Sequence, residues 1–467
     1  MIHHAKSQKV DDIYARGVAS FIDPNGVFQK KMETSPEKVN IKLGVDPTRP
    51  DIHLGHAAIL RKLRAFQERG AKVIFLIGDY TAQIGDPTGK SKVRAEVTQQ
   101  EVEKNMKTYV DQVGKILLTD SAHFSWIRNS DWFLSATDLL FGENAKPHLD
   151  VVDPQGKKIS FPLDPNSLLG KTALYDASRM QRTFLKKQEV VGVTLRGLLW
   201  TLRHITHARL IERDMFSERL KNHSELYVHE MLYPVLQGVD SQVLAQIYGS
   251  CDLEVGGTDQ TFNMLMGRDV MKLNNLPPQS VMSIDLLVGT DGVEKMSKSL
   301  DNYISIVDEP FVMYGKIMSI PDAALRQYFI LATYMPEEDI NDVIKNVTAG
   351  KEHPRDLKMR LARQITAIYH GEAAAKSAED NFVETFQKGK APRDIPEVNV
   401  PSGTPLVGLV LDKGLVASKS EFRRLLAEGA VSVVERNEKI NDPFYKIYTS
   451  ETIRIGAARF LHVIVEA

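Results

Sequence analysis

The chain has 467 residues, of which 43% are apolar, and this is enough for two or three domains with real cores. Its 59 basic and 60 acidic residues nearly cancel, so a nucleic-acid partner is neither supported nor excluded and would need local basic patches. The single cysteine, Cys251, excludes an internal disulfide and a cysteine-based zinc site, and it favours a reducing compartment.

The start of the chain, residues 1–14, lacks the apolar core of a signal peptide. An apolar run of about 18 residues, the length that a membrane-spanning helix needs, does not occur in the sequence. We therefore expect a soluble, cytoplasmic protein that does not associate with a membrane.

The first clear pattern is a strand that ends in a sharp turn. Apolar residues alternate with polar residues or glycine over residues 39–45, the period of two typical of a strand, and residues 46–50 (D-P-T-R-P) end it. Helical spacing of apolar residues follows over residues 54–69. His53 and His56 are therefore expected at a corner between a strand and a helix.

Such corners are where open α/β sheets bind ligands, because a helix N-terminus offers free N–H groups to a phosphate. Two imidazoles can donate hydrogen bonds there, and Gly55 lets a nucleotide approach the backbone closely. A single histidine is more often structural, but two at a spacing of three favour a site. Residues 53–56 (H-L-G-H) resemble the H-I-G-H signature of class I aminoacyl-tRNA synthetases, although nucleotidyltransferases share H-x-G-H.

A second corner follows the apolar run at residues 72–77 (K-V-I-F-L-I), which predicts a buried strand. Gly85 and Gly89 enclose three residues rather than the four of a Walker A loop, so this is not a phosphate loop of that kind. The segment resembles the I-G-D-P-S/T-G-K segment of tyrosyl-tRNA synthetases, whose aspartate binds the α-ammonium of the substrate. The resemblance gives that role to Asp86, and the structural alternative is an aspartate that closes a turn before proline.

Helices are predicted over residues 96–116 and 131–140. The family resemblance then lapses over residues 141–193, which contain a possible hairpin near residues 151–161 and a basic amphipathic run over residues 168–187. Class I synthetases carry insertions at this place, some for editing and some for dimer or tRNA contact. A solvated structural excursion is the interpretation we favour.

A predicted helix over residues 224–241 carries Tyr233, Gln237 and Asp240 on one face. Pro234 lacks a backbone donor and is expected to loosen that helix. The pattern resembles the Y-x-x-x-Q-x-x-D of tyrosyl-tRNA synthetases, in which the tyrosine and glutamine hold the amino group and the aspartate accepts a hydrogen bond from the phenol. Taken alone, it would be the polar edge of a surface helix.

A third strand is predicted over residues 251–255, followed by residues 256–260 (G-G-T-D-Q), which resemble the G-G-S/T-D-Q segment of the same family. An aspartate at such a turn, here Asp259, can bind ribose hydroxyls while glycines admit the sugar. A fourth strand over residues 281–288 leads to residues 295–299, which are the K-M-S-K-S signature in full. Two lysines on a mobile loop can neutralise charge on a leaving pyrophosphate.

The last part of the chain is predicted to be helical and polar over residues 308–393, with a proline-rich linker at residues 394–405. Residues 415–426 predict a capped helix, and residues 429–433 a turn and strand. This resembles the αL-type RNA-binding module of bacterial tyrosyl-tRNA synthetases, with a solvated basic helix as the alternative. The basic residues on that helix are Lys419, Arg423 and Arg424.

The resemblance implies an α/β fold of three parts. A class I Rossmann-like nucleotide-binding catalytic domain is expected over residues 1–300, with the insertion inside it. A helical linking region is expected over residues 301–395, and a small C-terminal αL-type RNA-binding domain over residues 404–467.

The reaction implied by the resemblance is attack of the tyrosine carboxylate on the α-phosphate of ATP, followed by transfer of the tyrosyl group to the 3′ end of tRNA(Tyr). Mg²⁺ would accompany ATP without a protein-held metal site, and the protein would be a homodimer. The resemblance gives catalytic roles to Thr48, His53, His56, Lys295 and Lys298, ATP contacts to Gly44, Asp46, Gly55, Gly257, Asp259 and Lys298, and amino-acid contacts to Asp86, Tyr233, Gln237, Asp240 and Gln260.

One departure and three alternatives remain open. Two residues before the glycine of the first strand, some relatives have a tyrosine that is a second partner of the substrate phenol, whereas this chain has Lys42. Phenol recognition would then depend more on Asp240. A tryptophanyl-tRNA synthetase is the nearest alternative, and Asp240 with Tyr233 argues against it. A non-catalytic RNA-binding relative conflicts with the intact signatures, and a small adenylyltransferase would lack the C-terminal module.

Overall fold

The structure is a computed structural model that describes residues 12–87, 98–106, 108–133, 148–152, 158–162, 193, 195–387, 395–416, 418–436, 438–456 and 459–466. The chain divides into two compact units. The first contains Met1–Asp308 and Ile320–Glu352, and the second contains Glu309–Ser319 and His353–Ala467. The predicted amphipathic run over residues 168–187 lies outside the described residues, and the three-part domain division stays a prediction.

The strands of the first unit form a six-stranded sheet and a separate hairpin. They are β1 (Val18–Ile22), β2 (Asn40–Val45), β3 (Lys72–Ile77), β4 (Phe124–Arg128), β5 (His148–Val152), β6 (Lys158–Pro162), β7 (Leu253–Gly257) and β8 (Ser280–Ile284). The sheet order is β1-β8-β7-β2-β3-β4, with β1 antiparallel to β8 and the other neighbours parallel. This is a doubly wound nucleotide-binding order in which the strand order reverses between β2 and β7. The expected α/β class I fold is confirmed.

The described helices surround this sheet or belong to the second unit. They are α1 (Asp12–Ala15), α2 (Val27–Thr34), α3 (Leu54–Gln67), α4 (Thr81–Ile84), α5 (Gln99–Met106), α6 (Tyr109–Val113), α7 (Ser130–Phe133), α8 (Leu195–Arg203), α9 (His207–Ile211), α10 (Asp214–Lys221), α11 (Val228–Tyr248), α12 (Thr261–Leu273), α13 (Pro310–Ser319), α14 (Leu325–Ala332), α15 (Glu337–Thr348), α16 (Pro354–His370), α17 (Glu372–Phe382), α18 (Leu406–Asp412) and α19 (Lys419–Ala427). None of those that lie among the described residues is both long and apolar enough to cross a bilayer.

The long helix α11 is continuous through Pro234, so the expected loosening does not occur. The apolar side of α11 packs into a buried cluster with Met266 and Val270 of α12 and with residues of β3 and β4. The residues on that side are Val235, Val239 and Val243. Tertiary packing of this kind supplies most of the stability of a helix in a protein, and here it compensates for the missing backbone donor.

One further helix prediction is corrected, and another is tested only in part. The predicted helix over residues 96–116 is two helices, α5 and α6, and of the one predicted over residues 131–140 only α7 lies among the described residues. The hairpin near residues 151–161 is confirmed, since β5 and β6 pair antiparallel from His148–Pro162 to Val152–Lys158. Its turn lies outside the described residues.

The second unit contains α13, α16 and α17 and a separate C-terminal sheet. The strands are β9 (Glu397–Pro401), β10 (Thr404–Pro405), β11 (Val431–Val433), β12 (Glu438–Lys439), β13 (Lys446–Ile447), β14 (Glu451–Ile455) and β15 (Arg459–Glu466). Five of them form a sheet in the order β12-β11-β14-β15-β9, and β10 pairs with β13. This sheet packs with α18 and α19 around a core of its own.

The linker prediction at residues 394–405 is wrong in part, because residues 397–401 form the edge strand β9, parallel to β15. Val398 and Val400 alternate with Glu397 and Asn399, and the two valines pack on the C-terminal core. The prolines that suggested a linker sit at the end of an edge strand, a place where sheets tolerate them.

Candidate functional site

A cavity of about 730 Å³ opens in the first unit at the carboxyl ends of the parallel strands. It is lined by every residue that the sequence predicted for ATP, for the amino acid or for catalysis, from Gly44 to Lys298. Because these residues come from the strands β2 and β7, the helices α3 and α11 and the loops between elements, the fold brings together side chains that are far apart in the sequence. The roles given to them remain predictions.

At one end of the cavity, Asp240 of α11 is buried and only 3% exposed. The indole N–H of Trp132 donates to its Oδ1 at 2.9 Å, and the amide Nδ2 of Asn129 donates to its Oδ2 at 3.4 Å. Burial raises the pKa of Asp240 to about 7, while the charge of Lys42 and these two hydrogen bonds oppose the rise. The carboxylate therefore titrates near neutral pH and keeps free lone pairs for a further donor.

Asp86 is also nearly buried, and two side chains hold it. The amide Nε2 of Gln260 donates to Oδ2 of Asp86 at 2.7 Å, and a guanidinium nitrogen of Arg213 lies 3.5 Å from its Oδ1. The second Gln260 amide atom, Oε1, accepts from Nδ2 of Asn263 at 3.0 Å. The carboxylate is thereby presented to the cavity in a fixed orientation.

Asp46, predicted as an ATP contact, orients a neighbour in this structure. Its Oδ2 accepts from the hydroxyl of Tyr233 at 2.8 Å, and its Oδ1 accepts from the hydroxyl of Thr81 at 2.8 Å. A Cβ atom at Gly78 would collide with Asp46 and Thr81, so glycine is needed there. The hydroxyl of Tyr233 therefore directs its proton to Asp46.

The two signature histidines lie at the N-terminus of α3, with ring centroids 3.8 Å apart. The backbone N–H of His53 donates to Nδ1 of His56 at 3.4 Å, which assigns the proton of the His56 ring to Nε2. Burial, together with the charges of Lys298 and Lys295, lowers the pKa of His53 to about 3. Burial, followed by the charges of His53 and the two lysines, also lowers the pKa of His56 well below its ordinary value. Both rings are therefore neutral donors at pH 7.

The lysines of the second signature contact protein groups on both sides of the cavity mouth. The ammonium of Lys295 lies 2.6 Å from Oδ2 of Asp259, so two predicted nucleotide contacts form an ion pair. Lys298 is buried and donates to the backbone oxygen of Arg49 at 2.9 Å and to the hydroxyl of Tyr109 at 2.8 Å. Burial lowers the pKa of Lys298 to about 7.

Neighbouring segments of the first unit brace the loop that carries these lysines. Asn302 donates to the carboxylate of Asp291 at 2.6 Å and to the backbone oxygen of Lys295 at 3.2 Å. Gln327 and Tyr328 of α14 bond the backbone of Leu286 and Val288 at the base of the loop. The loop is therefore anchored at its base and through the buried side chain of Asn302.

The predicted RNA contacts lie in the second unit, on α19. Lys419, Arg423 and Arg424 are all exposed there, and the hydroxyl of Ser418 accepts from the backbone N–H of Glu421. The capped helix and the strand after it are as predicted, with β11 at Val431–Val433. A patch of three cations follows from this arrangement.

Several side chains of the site were not identified from the sequence. Asn129 follows β4, a five-residue strand that was not predicted, and Trp132 lay in the predicted helix over residues 131–140 without any sequence signal that it contacts Asp240. A charged residue inside the predicted third strand, two positions before its glycines, was the available signal for Glu254. The residues missed are Tyr109, Asn129, Trp132, Arg213, Glu254 and Asn263.

The sequence model of the family described as tRNA synthetases class I (W and Y) matches residues 34–151 and 180–387, more than half of the chain. The chain belongs to this family. Membership implies that ATP is a substrate. The chain is also 38% identical over 466 residues to the tyrosine–tRNA ligase of Carboxydothermus hydrogenoformans, covering 97% of each.

Solved structures share the fold at lower identity. A C-terminally truncated mitochondrial tyrosyl-tRNA synthetase of Aspergillus nidulans aligns with a TM-score of 0.54 at 18% identity, over 79% of this chain and 92% of that one. The tyrosyl-tRNA synthetase of Archaeoglobus fulgidus complexed with L-tyrosine aligns with a TM-score of 0.51 at 19% identity, over 79% and 98%. These likenesses support the class I catalytic fold.

The neutral state of the two histidines can be measured directly. We expect neither ring to titrate between about pH 5 and pH 8, because burial and nearby ammonium groups disfavour the imidazolium ion. Long-range ¹H–¹⁵N NMR of histidine-labelled protein, assigned with His53→Gln and His56→Gln, should show a protonated Nε2 on His56. Titration of either ring with a midpoint near about 6.5 would contradict the assignment.

Proposed function

We propose that the protein is a tyrosine–tRNA ligase. It activates L-tyrosine with ATP to tyrosyl-adenylate and pyrophosphate, and it then transfers the tyrosyl group to the 3′ end of tRNA(Tyr). One observation carries the proposal: α11 presents Tyr233, Gln237 and Asp240 to the same cavity that both nucleotide signatures line. A helix with these three side chains fits an amino acid that has a hydroxyl at one end and an ammonium at the other.

The amino acid lies with its phenol toward Asp240 and its ammonium toward Asp86. Asp240 already holds Trp132 and Asn129 as donors, so the remaining lone pairs of its carboxylate accept the phenol proton. Asp86 and the oxygen of Tyr233 supply acceptors for the ammonium. Both carboxylates are largely buried, which strengthens each bond and makes an unpaired group costly.

ATP occupies the other end of the cavity, where Thr48, His53 and His56 face its phosphates and adenosine side. Gly44, Gly55 and Gly257 leave room for the nucleotide, and Asp259 binds the ribose. The two lysines, Lys295 and Lys298, neutralise the charge that develops on pyrophosphate as its bond to the α-phosphate breaks. No protein base is needed, because the attacking group is already a carboxylate, and catalysis consists of orientation and charge stabilisation.

Mg²⁺ enters as part of the ATP complex. Among the residues that the structure describes, no three His, Cys, Asp or Glu side chains are grouped so that they could hold a metal ion. Mg²⁺ bound with nucleotides is commonly held mainly by phosphate oxygens, and we propose the same arrangement here.

The proposal extends to the tRNA, to the oligomeric state and to the location. Lys419, Arg423 and Arg424 bind the tRNA backbone. The protein works as a homodimer, as its resemblance to the family implies. A cytoplasmic location is supported by the reducing compartment that the lone cysteine favours.

The proposed reaction is tested by ATP–pyrophosphate exchange with each of the amino acids in turn. We expect exchange with tyrosine and much slower exchange with phenylalanine or tryptophan, because only tyrosine can donate a phenol proton to Asp240. Charging of tRNA with labelled tyrosine completes the assignment. Faster exchange with tryptophan than with tyrosine would replace the proposal by its nearest alternative.

Replacing Asp240 tests phenol recognition. Asp240→Asn should lower the preference for tyrosine over phenylalanine by roughly 10⁴-fold or more, a magnitude borrowed from this same enzyme family rather than calculated from the cavity. In the unmodified protein the preference should fall as the pH drops from about 8 to about 6, because the carboxylate, whose pKa is about 7, becomes protonated. Steady-state exchange kinetics with both amino acids across this pH range measure both effects.

Asp131→Asn is the matched control for that variant. Asp131 is a buried aspartate on α7 whose pKa is raised by burial to about 6, and it does not line the cavity. The control should keep the tyrosine preference and its pH dependence. If Asp240→Asn retains the full preference, the assignment of the phenol partner is wrong.

The signature residues should act on the rate rather than on tyrosine binding. His53→Ala and Lys295→Ala are expected to slow tyrosyl-adenylate formation by about 10²-fold to 10³-fold, because their phosphate partners gain charge only as the bond to pyrophosphate breaks. Single-turnover kinetics give the rate, and equilibrium dialysis gives tyrosine affinity. Val293→Ala, at the 81% exposed tip of the same loop, is the control. An equal loss of tyrosine affinity would count against the proposed roles.

The cationic patch on α19 should act only in tRNA charging. The triple variant Lys419→Ala, Arg423→Ala, Arg424→Ala should raise the Michaelis constant for tRNA. When the logarithm of this constant is plotted against the logarithm of the salt concentration, the slope should be smaller by about two to three. Adenylate formation should be unchanged. A control triple variant of exposed lysines in the same domain, Lys413→Ala, Lys439→Ala, Lys446→Ala, should leave the slope near that of the unmodified protein.

A deletion completes this test. The deletion should remove residues 395–467 rather than only the predicted domain, residues 404–467. The strand β9 belongs to the C-terminal sheet and would otherwise be left without its partner β15. The shortened protein should form adenylate and charge tRNA poorly. Undiminished charging would remove the RNA-binding assignment.

A further inference from the structure

A buried ion pair forms part of the cavity wall and has no role in the reaction described so far. Lys42 of β2 and Glu254 of β7 are partners in the register of two adjacent parallel strands, at the point where the strand order reverses. Their charged atoms, Nζ and Oε1, are 2.9 Å apart, and their side chains are 0% and 2% exposed. Both residues line the cavity.

Every polar atom of this pair has a partner. The ammonium of Lys42 donates also to the hydroxyl of Ser241 at 2.8 Å and to the backbone oxygen of Gln237 at 3.0 Å. Glu254 accepts from the side-chain amides of Gln237 and Gln279 as well. Buried ion pairs are weak devices for stability, because well-packed apolar residues of similar volume often stabilise a fold as much. A role in setting the geometry of neighbouring groups is therefore the better explanation of this pair.

A chain of hydrogen bonds leads from the pair to Asp86. Nε2 of Gln237 donates to Oε1 of Glu254 at 3.0 Å, and Oε1 of Gln237 accepts from Nδ2 of Asn263 at 3.1 Å. The same Asn263 nitrogen donates to Oε1 of Gln260 at 3.0 Å, and Nε2 of Gln260 donates to Asp86 at 2.7 Å. The chain links one wall of the cavity to the group proposed for the substrate ammonium.

The two ends of this chain determine the direction of every amide in it. Both ends, Glu254 and Asp86, are carboxylates, which can only accept hydrogen bonds. Gln237 must therefore turn its nitrogen to Glu254 and its oxygen away. A reversed Gln237 amide would place its oxygen against the carboxylate and its N–H groups toward Asn263. The side-chain carbonyl oxygens of Gln237 and Gln260 therefore both point to Asn263, in the middle of the chain. The orientation of each glutamine amide relative to the cavity is thereby fixed.

We infer that Lys42 and Glu254 are positioning residues for the amino-acid substrate, which fix the Gln237 and Gln260 amides so that the ammonium end of tyrosine meets acceptors. The inference rests on the proposed function, in which Gln237, Gln260 and Asp86 contact the amino acid. The pair acts through these residues and does not touch the reacting atoms. The charges of Lys42 and Glu254 shift the pKa of Asp240 in opposite directions, so removing both together acts mainly at the ammonium end.

The test removes both charges together. In Lys42→Met, Glu254→Gln the volume is nearly kept and no buried charge is left unpaired, so the protein should fold. Inhibition constants are measured in the exchange assay for 3-(4-hydroxyphenyl)propionate, which is tyrosine without its amino group, and are compared with the Michaelis constant of tyrosine. Assays at about pH 8.5 keep Asp240 ionised. The free energy of unfolding is followed in urea.

We expect the variant to bind tyrosine about tenfold or more weakly, the size of a lost hydrogen bond to a charged group, while the analogue without the amino group binds as before. The advantage of tyrosine over that analogue should shrink by the same factor. The Michaelis constant for ATP and the preference for tyrosine over phenylalanine should stay within about twofold. A purely structural role would move none of these ratios selectively.

The matched control is Arg219→Met, Glu230→Gln, which removes another buried ion pair of the same unit, 2.8 Å long, that does not line the cavity. It should leave the tyrosine-to-analogue ratio unchanged. If the double variant at Lys42 and Glu254 does not fold, Asn263→Ala is used, since it breaks the same chain of hydrogen bonds without leaving a buried charge unpaired. A reduced ratio is then still expected.

The outcomes separate the inference from the proposed function. An unmodified protein that exchanges pyrophosphate with tyrosine, together with a variant of unchanged ratio, would overturn the inference alone. Equal weakening of tyrosine and of the analogue would also overturn it, because the pair would then act on the cavity as a whole. Failure of the unmodified protein to use tyrosine would overturn the proposed function and the inference with it.

Discussion

A cavity wall made of charged and amide side chains is stable only when each buried donor meets an acceptor, because an unpaired buried ion is very costly. This constraint governs the first unit of the protein. Lys42, Glu254, Asp86 and Asp240 are all nearly excluded from water, and each is held by at least two hydrogen-bond or ionic partners. Because the partners also bond one another, the pattern of donors and acceptors that faces a ligand is fixed before the ligand arrives.

The charges are distributed unevenly along the cavity. Asp86 and Asp240 lie at the end assigned to the amino acid, whereas Lys295, which is paired with Asp259, and Lys298 lie at the loop end, with the two neutral histidines near them. A reaction between a carboxylate and a polyphosphate brings together groups that repel each other, so cations near the leaving group lower the barrier. A neutral imidazole contributes a hydrogen bond without a full charge, and its interaction grows as charge develops on the phosphate.

The parts of the site that could be predicted from the sequence are local. The H-L-G-H and G-G-T-D-Q motifs each lie where a strand leads into the start of a helix within about twenty residues, so periodicity and turn chemistry place them correctly. The pairing of Lys42 with Glu254 could not be predicted, because it depends on the two strands being neighbours in the sheet. Asn129 was missed with β4, and the contact of Trp132 with Asp240 was missed because it joins elements distant in the sequence. The strand β9 was mistaken for a linker because the prolines around it outweighed a short alternation of two valines.

The lysine on the first strand also decides how the phenol of the amino acid can be recognised. An ammonium has three N–H groups, and those of Lys42 are directed to Glu254, to Ser241 and to the backbone of Gln237. The lysine therefore has no hydrogen left for a phenol oxygen and cannot replace the tyrosine that some relatives have at this position. In the proposed function, recognition of the hydroxyl falls to Asp240, and the indole and amide that bond its two oxygens hold the carboxylate in place. By our inference, the lysine that stands in place of a second phenol partner instead pairs with Glu254 and helps to orient the ammonium end of the substrate.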